Sequence, residues 1–426
     1  MTHEGSLAIV NMDTPPEVMG LNPFEPGYFD NPYGQYAALR DSMPIHQTTM
    51  GSWLLTRWDD VHALLRTPGM SVDERNVANS PTRAERIAEI RAAAGLAEQR
   101  RPSRAILNID PPDHTRIRGL VAKAFTPRAI EQIRGQIQQL TDSLLDELAD
   151  HGSEPTDLIS GLAFPLPFAV INSMLGLPES ADTNHLRELS HTITQVLDPL
   201  LLIENGPAVL AAAQEMEAIL SDAIEWKRAR DDDDLLMALI HAEEHGDKLS
   251  DAELLENVVL LFLAGHETTV NLIGNALNAL LTHRDQLEIL KADPTITVNA
   301  VEELLRWDSP VQFSRRIALE PATIKGVTFE PGDMVLTCLG AANRDPKKFG
   351  PTAGQLDLKR ADAREHVSFG SGVHHCLGAA LARMEGQEAI GRLVKRFPNI
   401  ELGGEPIHNT RLVLRGFDQL PVIVAH

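Results

Sequence analysis

Across Phe369-Gly370-Ser371-Gly372-Val373-His374-His375-Cys376-Leu377-Gly378, three glycines surround one cysteine, and a histidine stands two positions before it. Glycine lets a backbone approach a flat ligand closely and turn its N–H groups toward it. A cysteine cradled by such groups, just ahead of a helix, is favoured as a thiolate. The helical pattern begins at once with Ala379-Ala380-Leu381-Ala382-Arg383-Met384 and predicts a helix over 378–397, ended by Pro398. By itself the stretch leaves Cys376 open as a nucleophile or a zinc ligand.

The rest of the chain narrows the choice. With 426 residues and 43% hydrophobic composition, it can bury a large core. A formal net charge of -22 argues against general binding to nucleic acid or to an anionic membrane surface. Only Cys338 and Cys376 are present, so no disulfide framework is expected and a reducing cytoplasm is the natural setting. Cys338, in the strand-like run Met334–Leu339, reads as a small buried hydrophobe. The first residues show no basic region followed by an apolar core, so no secretory signal is expected. The apolar run Val258–Gly265 is far short of the ~20 residues that span a bilayer.

Residues 1–30, rich in Pro, Gly and Asn, predict a surface arm ahead of one domain over 31–426. Helices are expected over Pro32–Leu39 and Trp58–Arg66, with a strand at Trp53–Thr56. Between 71 and 108, Ile87, Ile90 and Ala94 fall at helical spacing among arginines and glutamates. The plain reading is a solvated helix and loop; the sharper one is a lid over a substrate cavity. In Asp110–Arg118, Asp113 is positioned to cap a helix. His114 and Arg118, four residues apart, share a face able to clamp a carboxylate, although a solvated His/Arg pair has the same spacing. Residues 127–230 predict successive amphipathic helices with breaks at His151-Gly152, Pro165–Pro167, Gly176–Pro178 and Gly206-Pro207.

Ser250 and Glu253 match a capping box. The pattern then stays helical to about Leu281, a rod of roughly 45 Å. Within its apolar middle lies Gly265-His266-Glu267-Thr268-Thr269. Glycine there costs ~1 kcal/mol against alanine, and a buried charge costs more unless satisfied. Thr268 can bond back to the Ala264 carbonyl, which predicts a bent or opened turn with room for dioxygen. Glu267 and Thr268 then make an acid–alcohol pair able to relay protons. The simpler alternative is a kink with solvated Glu and His. A metalloprotease His-Glu-x-x-His fails because residue 270 is Val270, and His374, His375 and Cys376 are too close together for an ordinary zinc site.

Glu303 and Arg306 face each other at i,i+3 on a helix over 297–306. Pro310 ends that region, an extended segment follows to Leu319, and a hairpin over Val327–Leu339 is expected to turn at Pro331-Gly332.

The cysteine stretch resembles the haem loop of the heme-thiolate monooxygenases, the cytochromes P450, written Phe-Gly-x-Gly-x-[basic]-x-Cys-x-Gly. Ala264–Thr269 is similar to that family's Ala-Gly-x-[Asp/Glu]-Thr-Thr, and Glu303/Arg306 to its Glu-x-x-Arg. The resemblance runs from about residue 30 to the C-terminus. It implies a mainly α fold with a small β region, holding haem b between the long central helix and the cysteine loop. Cys376 would be the thiolate ligand of the iron, with Phe369, Gly370 and Gly378 around it. His114, Arg118, Arg316 and His374 would hold the propionates, with Arg315 the alternative to Arg316. Ala264 and Gly265 would lie over the haem, and Glu267 and Thr268 would deliver protons. Arg360 would complete the Glu303/Arg306 network, with Arg344 as alternative. Ile87, Ile90, Leu260, Leu261, Val311 and Phe313 would meet substrate.

The implied reaction inserts one atom of dioxygen into a hydrophobic small molecule, by hydroxylation or epoxidation. No flavin or nicotinamide fingerprint is present, so a separate ferredoxin and its reductase would supply electrons to a monomeric enzyme. Arg116, Lys123 and Arg383 would guide an acidic ferredoxin. A peroxide-dependent haem peroxygenase and a non-catalytic haem sensor are the alternatives. The intact Glu267-Thr268 pair argues against the first, and the second would not need it.

Overall fold

A computed structural model describes residues 18–78, 83–93, 103–177, 182–232, 234–244 and 247–424. Most of the expected arm, residues 1–17, lies outside them, as does Ala94. Residues 18–31 form turns, including a short bridge between Val18 and Leu21.

The central helix runs Asp251–Thr282. Ser250 Oγ accepts the Glu253 N–H at 3.3 Å, and the Glu253 carboxylate accepts the Ser250 N–H at 2.9 Å. Two otherwise unpaired N–H groups are thereby satisfied. Helices Pro165–Leu175, Pro199–Arg228, Thr297–Trp307 and Ala379–Arg396 pack around it. Gly265 allows one crossing: a Cβ there would stand 3.1 Å from Ile171 Cδ1. The main core gathers Phe262, Leu272, Ile273, Leu277, Leu304 and Ile390 around this helix.

Several expectations hold closely. Helix Trp58–Arg66 and strand Trp53–Leu55 are present, and the first helix runs Tyr33–Ser42. Others are corrected. Gly206-Pro207 does not break a helix; it lies inside the 30-residue Pro199–Arg228. Gly206 faces Ile90, whose Cδ1 would sit 2.5 Å from an added Cβ, so the glycine serves close packing of helix Arg83–Ala93. Asp113 does not cap its helix; the helix begins at Asp113 and Pro112 precedes it without a side-chain cap.

The expected hairpin at Pro331-Gly332 is also replaced. Ala322–Ile324 pairs with Val327–Phe329 through a turn at Lys325-Gly326. Met334–Cys338 instead joins a five-stranded sheet, antiparallel to Phe313–Ala318 and parallel to Trp53–Leu55. A parallel partner cannot be reached by a tight turn, so local signals do not reveal it.

The two ends of the described chain are bolted together. Arg415 donates through Nε to Asp308 at 2.9 Å and through its terminal nitrogens to the carbonyls of Phe29 and Asp30. Tyr33 donates to the same Asp308 carboxylate at 2.7 Å. Pro421–Ile423 pairs with Thr156–Asp157.

Candidate active site

The cysteine loop is a tight structure held by its own backbone. Cys376 N–H donates to the Phe369 carbonyl at 2.9 Å, and His375 N–H to Gly372 at 3.1 Å. Gly370 and Gly372 adopt φ of +68° and +72°, which side-chain-bearing residues rarely take. At Gly372 a Cβ would also collide with the Leu65 carbonyl at 2.4 Å. Gly378 differs: its φ is negative and an added Cβ would meet no protein atom within 4 Å. The Cys376 side chain is accessible, yet it lies in a recess where desolvation pushes the thiol up. The Gly378 N–H, Arg118 and Arg383 pull it the other way. Cys338, by contrast, is fully buried, and burial pushes its thiol up to about 12.

Four nitrogen-bearing side chains converge beside this loop. The rings of His114 and His374 lie 4.2 Å apart. Both ring nitrogens of His114 and Nε2 of His374 are buried without a hydrogen-bond partner. Arg118 donates to the His375 carbonyl at 2.6 Å. Arg316 is 5% exposed, and burial lowers its pKa to about 10. Burial, helped by His114, Arg316 and Arg118, pulls His374 down to about 3. Arg315 is turned elsewhere, onto Glu74. Arg316 donates to the Ser314 hydroxyl at 3.2 Å and the Arg315 carbonyl at 2.6 Å, with the Asp110 charge also acting on it. Orphaned buried donors cost ~1–3 kcal/mol each, so the cluster calls for an anionic partner. The carboxylates of a haem meet that need, and the open space over Gly378 suits a flat ring beside Cys376.

On the central helix, Leu260, Ala264 and Thr268 follow one another at four-residue intervals on a face only partly covered by protein. Thr268 Oγ donates to the Ala264 carbonyl at 3.0 Å and Thr269 Oγ to Gly265 at 3.4 Å. The expected opened turn is absent: the helix is continuous from Asp251 to Thr282 because packing on several sides holds it. A Cβ at Gly265 would point at Ile171. His266 is a bolt between helices. Its Nδ1–H donates to Phe262 at 2.7 Å, and Nε2 accepts from Ser190 at 2.8 Å.

Glu267 is buried, with one oxygen 3.8 Å from Arg411 Nη1. Arg411 also donates to Thr194 Oγ1 at 2.9 Å and to the His191 carbonyl at 3.2 Å. Glu385 reaches the same helix from the Ala379–Arg396 side. It is fully buried, neither oxygen has a hydrogen-bond partner, and desolvation raises it to about 8 despite the Thr269 hydroxyl. Sequence reasoning missed Arg411, whose partners are remote in the chain, and Glu385, whose burial is set by a helix remote in the chain. A charged residue on the apolar side of a helix was the available signal for Glu385.

The network behind the loop is built around Glu303. Arg306 donates to it at 2.6 and 2.7 Å, and Arg360 Nε at 3.1 Å. Arg344 lies apart, stacked on Tyr33 and Trp307. Of the expected substrate contacts, Ile90 packs on Gly206, Ile87 is half-buried and Leu260 lies on the open helix face. Leu261 is in the main core, one position round the helix. Val311 bridges Leu414, whereas Phe313 is buried against Tyr36 and Leu336 on the other side of the sheet. Arg116 and Arg383 are engaged within the fold, on Glu253 and Glu302 respectively.

Comparison with known proteins accounts for this combination. The sequence pattern of the family described as Cytochrome P450 matches residues 88–414. Cytochrome P450 107B1 of Saccharopolyspora erythraea is 39% identical over 420 residues, covering 95% of this chain and 98% of that one. The 6-deoxyerythronolide B hydroxylase of the same organism is 38% identical, covering 92% and 95%. The solved structure of the Bacillus subtilis bacillaene polyketide synthase cytochrome P450 PksS superposes with a TM-score of 0.83 at 37% identity, covering 95% and 99%. The chain belongs to the cytochrome P450 family. It is a haem b monooxygenase that uses dioxygen on small-molecule substrates. Among the described residues no helix is long and apolar enough to cross a membrane.

Proposed function

We propose that this enzyme hydroxylates or epoxidises a polyketide-sized hydrophobic molecule, with Cys376 as the thiolate ligand of its haem. The observation that carries the site assignment is the set of orphaned nitrogens on His114 and His374 beside the Cys376 loop. His114, Arg118, Arg316 and His374 hold the propionates, which give the two histidines the partners the protein does not provide. Phe369 and the loop backbone shelter the sulfur. Bound there, the haem supplies the oxygen-activating chemistry.

The chain's own residues position substrate and move protons. Leu260 and Ala264 offer an apolar wall. Glu267 passes a proton to the Thr268 hydroxyl, whose bond to the Ala264 carbonyl fixes its orientation. After that transfer Arg411 holds the Glu267 carboxylate until water returns its proton. A separate ferredoxin delivers the electrons.

The substrate class draws on relatives named for polyketide biosynthesis, 6-deoxyerythronolide B and mycinamicin IV. The test has two arms. A panel of macrolactones, sterols and fatty acids is titrated against the haem protein, and the spin-state shift is read. The best ligand is then incubated with dioxygen and a surrogate ferredoxin pair, or with peroxide alone. Macrolactones should give the tightest shift, and oxygenated product should require the ferredoxin pair. Preference for a sterol or fatty acid refutes the substrate class; equal product from peroxide refutes the ferredoxin reading.

A further inference from the structure

The cysteine loop rests on a second charged network, separate from Glu303. Glu302 is 1% exposed, and its carboxylate receives Arg383 Nε at 2.7 Å and Nη2 at 3.1 Å. His366 Nε2 approaches the same carboxylate at 3.1 Å. The Ser368 N–H donates to His366 Nδ1 at 3.1 Å, which leaves the imidazole proton on Nε2, aimed at Glu302. Arg364 stands further off, at 3.9 Å. Buried charge of this kind persists only when its partners are fixed.

The network meets the loop at Phe369. The Arg383 guanidinium carbon lies 4.4 Å from the Phe369 ring centroid, and the His366 ring 5.7 Å from it. Phe369 is thereby clamped by a cation and an imidazole that both answer to Glu302. The Phe369 carbonyl accepts the Cys376 N–H, so the clamp and the sulfur share one short backbone turn. Arg383 is also one of two cations within electrostatic reach of Cys376, Arg118 being the other.

We infer that Glu302 is a positioning residue that tunes haem reduction: by anchoring and neutralising Arg383 over Phe369, it sets the net charge felt beside Cys376. The inference rests on Cys376 being the residue that would hold the haem iron. A cation near the iron favours the reduced, less positive metal; a nearby carboxylate opposes it. Glu302→Gln removes one negative charge and leaves Arg383 uncompensated. Arg383→Gln removes the cation and leaves Glu302 with neutral His366.

The experiment is a spectroelectrochemical titration of the one-electron reduction of the haem-loaded protein, alongside its reduced carbon-monoxide spectrum. Glu302→Gln should shift the midpoint to more positive potential, and Arg383→Gln to more negative. The double variant should return toward the parent, and Arg383→Lys should largely restore it. All should keep the thiolate-type spectrum. Shifts of the same sign, or none, with that spectrum intact would overturn the inference. Loss of the thiolate spectrum even in Arg383→Lys would overturn it too, showing a purely structural support. A parent protein without the thiolate spectrum would overturn the Cys376 assignment itself, and this inference with it.

Discussion

Glu303 receives two hydrogen bonds from Arg306, at 2.6 and 2.7 Å, and neither side chain is exposed to solvent. Arg306 further donates to the carbonyls of Asn343 and Ala353, each at 2.7 Å. The pair thus ties its helix to the segment leading into the cysteine loop. Glu303→Ala leaves two buried guanidinium groups short of their anion. A loss of about 3–5 kcal/mol is expected, read as a lower urea midpoint and poor haem incorporation. Arg360→Ala should cost less, since Arg306 keeps the carboxylate paired.

Two glycines of the loop should behave in opposite ways. Gly372→Ala forces a left-handed backbone and a clash with the Leu65 carbonyl, so it should lower thermal stability with or without haem. Gly378→Ala places its methyl in open space. The apo protein should melt unchanged while haem affinity falls, measured by transfer of haem to an acceptor protein. Equal affinity would place the ring elsewhere.

Thr268 and Glu267 should separate electron use from product. Glu267→Gln is expected to slow turnover by roughly 100-fold, the lower end of what a positioned proton donor contributes. Thr268→Ala should consume reductant at near-normal rate with little oxygenated product. Oxygen uptake and product measured together check both, and unchanged coupling in Thr268→Ala would remove it from the proton route.

Glu385 gives stability a pH dependence of its own. Its carboxyl titrates near 8 in the fold, against 4.5 when unperturbed. Between those values the folded state holds a proton that the unfolded state releases, so rising pH favours unfolding. The carboxyl's contribution is full below about pH 4.5 and is lost as pH rises to about 8, at roughly 1.4 kcal/mol per unit. Glu385→Gln should remove that slope and be the more stable protein at pH 7. Urea midpoints at pH 5.5, 7 and 8.5 check it.

Local patterns announced much of the fold. The Ser250 capping box, helix Trp58–Arg66 and the Glu303/Arg306 pair all depend on neighbours within one or two turns, and each is present. The cysteine loop was legible for the same reason: its glycines and cysteine act within ten residues. What stayed hidden depends on distant partners. Glu302 reads as an ordinary surface charge until His366 and Arg383 arrive, 64 and 81 residues away. Phe313 looked like a cavity wall, but strand pairing with Met334–Cys338 turns it to the Tyr36 side. The expected bond from Thr268 to the Ala264 carbonyl is present, yet the helix stays continuous through it.

Arg415 bears on how the chain is made. It reaches carbonyls 385 and 386 positions earlier, and its Asp308 partner also holds Tyr33. Ribosomal synthesis presents residues 29–33 long before this arginine. Helix Tyr33–Ser42 therefore waits for Asp308 and Arg415 before Tyr33 can be fully packed. Contacts of such separation form slowly. This corner of the enzyme is thus completed by residues far along the chain rather than by its own neighbours.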